Sequence, residues 1–74
     1  MKNIETIFYE SSTIKVSEYN FKKNQLIITF HSGAIYMYDN VNVDVYEKFS
    51  NADSQGKALN EHIKNTEIKV TKIS

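Results

Sequence analysis

Seventy-four residues carry nine Lys, no Arg and nine Asp or Glu, for a formal net charge of zero, which excludes a strongly basic nucleic-acid coat. Domains usually run to roughly 100–200 residues, so the length holds one small domain, residues 1–74, and excludes a cofactor-binding half beside a substrate half. With no cysteine there is no disulfide, thiolate zinc site or cysteine nucleophile, and a core of this size must rest on apolar packing or self-association. At the N-terminus, Glu5 interrupts Ile4–Phe8 where a signal peptide would need an unbroken apolar core. No later run approaches the roughly 20 apolar residues of a membrane span, so a cytoplasmic protein without a membrane partner is expected.

From residue 13 to residue 19 the chain alternates, with Ile14 and Val16 on one side and Lys15 and Ser17 on the other, the period of a half-buried strand. The polar stretch Lys22-Lys23-Asn24-Gln25 then leads to Leu26–Phe30, in which Leu26, Ile28 and Phe30 share a face. Ser32 and Gly33 supply a second turn into a third strand, residues 34–38, which completes a meander. In that strand Ile35 and Met37 lie opposite Tyr36 and Tyr38. Ile35 and Met37 are expected to cover the core, leaving the tyrosines exposed or at an interface; the alternative is that both tyrosines pack beneath the helices.

Beyond Asn40 the period changes. Val45, Tyr46, Phe49 and Ala52 fit one stripe of a short helix, capped by Asn42 or Asp44. Asp53–Gly56 ends it and offers caps for a second helix, on which Leu59, His62 and Ile63 share a face. Residues 66–73 alternate again and can return as a strand or edge the sheet, where their lysines would discourage edge pairing. The expected class is α+β: a small antiparallel sheet, a three-stranded meander with a candidate C-terminal strand, packed with two short helices.

Several groups are candidates for ligand contact. Tyr36 and Tyr38 can stack nucleobases, an interaction worth about 1–3 kcal/mol per base. Ser11, Ser12 and Thr13 place hydroxyls at a strand entrance, where they hold a phosphate or simply form the turn that starts the strand. Ser54, Gly56, Lys57 and Asn60 form a helix start where backbone donors and one ammonium can meet an anion; the plainer reading is a helix corner. His31 and His62 have no metal-ligand spacing, and no GxxxxGK[ST] or GxGxxG pattern occurs, so neither a metal, a nucleotide cofactor nor a catalytic residue is expected.

Taken in order, Ser11-Ser12-Thr13-Ile14, Leu26, Phe30, Ser32-Gly33, Tyr36-Met37-Tyr38, Val45-Tyr46, Ala52 to Gly56 and Asn60 resemble the KTSC domain family. That family is named for a domain at the C-terminus of some lysyl-tRNA synthetases and also includes free-standing bacterial and phage proteins. The resemblance covers roughly residues 10–64. It implies a small α+β domain for which RNA binding is suggested and no enzymatic activity is established. Asn42 stands where the family often has Pro, and Ala58 where an aromatic is common.

Two functions from different classes follow as expectations. One is a non-catalytic nucleotide-binding module, a phage-type homo-oligomer that sequesters a cyclic or short oligonucleotide between its copies, or a binder of single-stranded RNA. Zero net charge favours a small ligand over a long, strongly electrostatic one. The other is an interaction or inhibitor module acting on a host protein, with Tyr9, Tyr19, Tyr36, Tyr38 and Tyr46 as aromatic anchors.

Overall fold

A computed structural model describes residues 3–63 and 68–74. Five strands, β1 (Ile4–Phe8), β2 (Ile14–Asn20), β3 (Gln25–Phe30), β4 (Ile35–Asp39) and β5 (Lys69–Lys72), form one sheet in the order β1-β2-β3-β4-β5. Every neighbouring pair is antiparallel. Helices α1 (Val43–Ser50) and α2 (Gln55–Ala58), with a π-helical turn over Leu59–Ile63, sit between β4 and β5 in the chain. The expected α+β class and the meander are present, and β1 adds an edge strand that the sequence reading did not include.

The turns explain the strand boundaries. Asn20 Oδ1 accepts from the backbone N–H groups of Lys22 and Lys23, and Asn24 closes that turn at φ 53°, a left-handed conformation asparagine tolerates. Between β3 and β4, Gly33 adopts φ 97°, where a Cβ would be strained. Its N–H bonds to the carbonyl of Phe30. Asn42 caps α1, accepting from Val45 N–H at 3.0 Å, which settles the choice between Asn42 and Asp44.

The core lies between one face of the sheet and the helices. Ile14, Tyr19, Leu26, Ile28, Tyr38, Tyr46, Phe49, Leu59 and Ile63 are buried there, each large apolar side chain contributing about 1.5–3 kcal/mol by leaving water. Leu26 and Ile28 stand opposite Tyr38 and Tyr36 in the β3–β4 register, so both tyrosines belong to the helix-covered face. Ile35 and Met37, expected in the core, lie on the other face. A second difference concerns β2, whose pairing with β3 shifts between Ile14 and Val16. The extra residue at this bulge breaks the strict alternation, so the residues buried on β2 are Ile14, Ser17 and Tyr19, and Val16 turns to the open face.

That open face is apolar in its middle. Phe8 faces Val16, Val16 faces Thr29, Thr29 faces Ile35, and Ile27 faces Met37 across successive strands. Phe8 is 74% exposed and Ile4 50%. Residues 66 and 67 of the candidate C-terminal strand lie outside the described residues; within the remainder Lys69–Lys72 form β5, all four residues of which are exposed.

Candidate ligand site

Two concavities meet at Phe30. The first, about 590 Å³, is lined by Phe30, Ser32, Ala34, Tyr36, Tyr38, Ile68 and Val70. Alternation along β3 and β4 brings Phe30, Tyr36 and Tyr38 to one side, and β5 adds Val70, which faces Tyr38 across the β4–β5 ladder. The rings are held at fixed angles. Phe30 meets Tyr36 edge-on at 5.7 Å between centroids, and Tyr36 lies tilted on Tyr38 at 6.5 Å. Tyr38 is 2% exposed. Burial raises its hydroxyl pKa from the ordinary 10.0, with a further push from neighbouring Tyr36, so it stays a neutral phenol at physiological pH.

The second concavity, about 360 Å³, is lined by Thr13, Phe30, Ser54, Gly56, Lys57, Leu59 and Asn60. It brings the start of β2 against the start of α2. A Cβ on Gly56 would lie 3.7 Å from Thr13 Oγ1, an ordinary contact, so the closeness of these segments does not itself demand glycine. Ser54 caps α2 by accepting from Lys57 N–H, and the Lys57 side chain is exposed. The cleft combines two hydroxyls, a carboxamide and one ammonium with an aromatic wall.

The structure therefore gathers Ser54, Gly56, Lys57 and Asn60 into one cleft and Tyr36 and Tyr38 into the cavity beside it. Ser11 is used differently: its Oγ accepts from the N–H groups of Thr13 and Ile14 at 3.1 and 3.2 Å, the turn that launches β2. Neither Ser11 nor Ser12 lines either concavity among the described residues. His31 braces the same turn through a 2.8 Å bond between Nε2 and the Ser11 carbonyl. The expectation that both tyrosines lie exposed or at an interface is corrected: Tyr38 is in the core, and Tyr36 is half-buried against Phe30. Tyr38 joins Tyr19, Tyr46 and Phe49 as one of four fully buried aromatic rings, and Tyr36 packs partly buried against that core.

The other tyrosines are also committed inward. Tyr19 stacks on Tyr46 at 4.1 Å and donates to the Val41 carbonyl at 2.6 Å. Tyr9 shares a 2.7 Å hydrogen bond with Ser17 and packs edge-on against Phe49. Tyr19, Tyr38 and Tyr46 are thus unavailable as surface anchors, contrary to the five-tyrosine docking surface. Phe30, Ala34, Ile68 and Val70 were not among the expected ligand residues. The signal for Phe30 was its shared parity with Leu26 and Ile28, which the hairpin register carries across to Tyr36. Among the described residues no group of three or more His, Cys, Asp or Glu converges as for a metal ion, and no helix is long and apolar enough to cross a membrane.

A small antiparallel sheet with helices on one face and a two-part cleft at its β3–β5 end defines an α+β module, and comparison with known proteins supplies its family. The family model for the KTSC domain matches residues 10–66; the chain belongs to the KTSC domain family. It is 42% identical over 55 residues to a lysine–tRNA ligase of Nostoc punctiforme, an alignment spanning 74% of this chain and 10% of the ligase. It also superposes on the crystal structure of a KTSC domain protein from Yersinia pestis with a TM-score of 0.86, at 25% identity over 96% of this chain and 99% of that one.

Proposed function

We propose that this protein is a non-catalytic module that binds a short single-stranded nucleotide, with a base in the Phe30–Tyr36–Tyr38 cavity and its phosphate in the Thr13–Lys57 cleft. The observation that carries the reading is that Phe30 is a wall of both concavities. An aromatic, largely apolar cavity adjoining a hydroxyl-rich cleft with a single ammonium suits a planar ring attached to one or a few phosphates. The fit also matches the charge of the whole chain. A neutral protein without arginine lacks the basic surface that holds long polyanions, whereas one lysine, two hydroxyls and a carboxamide suffice for a single phosphate.

The resemblance to part of a lysine–tRNA ligase is consistent with an RNA strand as the source of that nucleotide, and a free signalling nucleotide presents the same chemistry. Titration calorimetry with mononucleotides, cyclic dinucleotides and short single-stranded RNAs separates the two. Saturation by a cyclic or short oligonucleotide alone identifies a soluble ligand, and affinity that grows with RNA length identifies a strand. Absence of heat and of any spectral change with the whole series refutes nucleotide binding.

A further inference from the structure

The two edges of the sheet are unlike. β5 carries exposed Lys69 and Lys72, charges that discourage pairing with another strand. β1, with the sequence Ile-Glu-Thr-Ile-Phe, has no lysine, proline or glycine. Its single charge, Glu5, is turned beneath the sheet to accept the Tyr46 hydroxyl. Among the described residues β1 is paired on one side only.

The hydrogen-bond phase shows which groups face that open edge. Tyr9 N–H bonds to the Lys15 carbonyl, and Phe21 N–H bonds to the Asn3 carbonyl. In an antiparallel ladder such pairs recur at every second residue, so Glu5 and Ile7 direct their backbone groups to β2. Ile4, Thr6 and Phe8 direct theirs outward. The same three residues place their side chains on the open sheet face, where Ile4 and Phe8 are half to three-quarters exposed.

We propose that β1 is the seam of a symmetric dimer, pairing antiparallel with β1 of a second copy about a two-fold axis at Thr6. In that register Thr6 meets Thr6 and Ile4 meets Phe8, and each facing pair exchanges both of its backbone bonds. The side-chain matches are a threonine pair and two aromatic–β-branched pairs, combinations that stabilise antiparallel ladders. Glu5 faces Ile7, so no like charges oppose one another. The arrangement is isologous and closes on itself, converting two five-stranded sheets into one continuous sheet. It lies across the sheet from the β4–β5 cavity, so each copy keeps its own ligand site and no ligand is enclosed between copies by this seam.

The chain has no native cysteine, which makes the register directly readable. Facing residues of a hydrogen-bonded antiparallel pair sit about 5.5 Å apart at Cα, within reach of a disulfide. Single-cysteine variants Thr6→Cys, Ile4→Cys and, on the opposite edge, Thr71→Cys are oxidised under mild conditions, and the untagged wild-type protein is run in parallel by sedimentation velocity over a concentration series. The proposal expects a concentration-dependent dimer, rapid cross-linking of Thr6→Cys alone, and cross-linking of Ile4→Cys only when it is mixed with Phe8→Cys. Thr6→Lys, which sets like charges at the two-fold axis, is expected to sediment as a folded monomer with an unchanged circular dichroism spectrum. A wild-type monomer throughout the series, equal cross-linking of all three single-cysteine variants, or a dimer joined through Thr71→Cys overturns the proposal.

Discussion

The Tyr46 hydroxyl donates to Glu5 Oε1 at 2.5 Å, tying helix α1 to the edge strand β1 across residues far apart in sequence. Tyr46 is buried against Tyr19 while Glu5 is only partly covered, so the bond closes the rim of the core where water would otherwise reach the stacked rings. Tyr46→Phe keeps the packing and deletes the donor. It is expected to cost about 1.5–3 kcal/mol, the range for hydrogen bonds to charged groups, read as a lower urea midpoint with an unchanged slope. An unchanged midpoint would mean that water replaces the donor without loss.

Alkali should unfold this protein through its tyrosines. Burial raises the pKa of Tyr9, Tyr19, Tyr38 and Tyr46 from 10.0; at Tyr46 the hydrogen bond to Glu5 and the charge of Glu5 add to the rise. Above the ordinary value the unfolded chain loses these protons while the folded chain retains them. Stability is therefore full below about pH 10 and falls as pH climbs through the higher folded-state values. The expected observation is tyrosinate absorbance appearing together with loss of secondary structure. Ionisation of Tyr9, Tyr19, Tyr38 or Tyr46 well before unfolding would contradict the burial described here.

Removing the α1 cap tests the helix boundary. Asn42→Ala deletes the acceptor for Val45 N–H and is expected to cost about 1 kcal/mol; Asn42→Asp retains an acceptor and should cost little. Thermal unfolding of the three proteins compares them directly. Equal losses for both variants would place the contribution of Asn42 elsewhere than in its cap.

Within the ligand site, the two concavities should respond differently to substitution. Lys57→Ala removes one ammonium at an exposed position and is expected to weaken nucleotide binding and lower its salt dependence by about one counterion. Ala34→Phe narrows the aromatic cavity lined by Phe30, Tyr36 and Tyr38 and should abolish binding at every salt concentration. Calorimetric titrations at two salt concentrations distinguish these outcomes.

Much of the fold was legible because local pattern and tertiary context agree. The Leu26, Ile28 and Phe30 face of β3 follows directly from a period of two, and Ser54 and Asn42 act as the caps their chemistry suggests. Where local pattern was ambiguous, it misled. On β4 both faces carry bulky, largely apolar side chains, so parity alone could not say whether Tyr36 and Tyr38 or Ile35 and Met37 face the helices. The bulge after Ile14 reverses the remainder of β2, and no residue-type signal marks it. β1 escaped notice because Ile4, Thr6 and Phe8 on one face and Glu5 and Ile7 on the other give no clean polar–apolar alternation. Of the site, the Ser54 to Asn60 cluster was visible as a helix start. Its junction with the aromatic cavity depends on Phe30, which only strand register brings beside Tyr36.

The most direct measurement is amide-resolved NMR of the labelled protein during titration with a short single-stranded RNA and, separately, with a cyclic dinucleotide. Nucleotide binding in the two-part cleft predicts saturable shifts at Phe30, Ala34, Tyr36 and Val70 for the base, together with Thr13, Gly56 and Lys57 for the phosphate. The same shifts should vanish in Ala34→Phe. Shifts confined to the open sheet face around Ile27 and Met37, or no shifts with either ligand, would contradict the account.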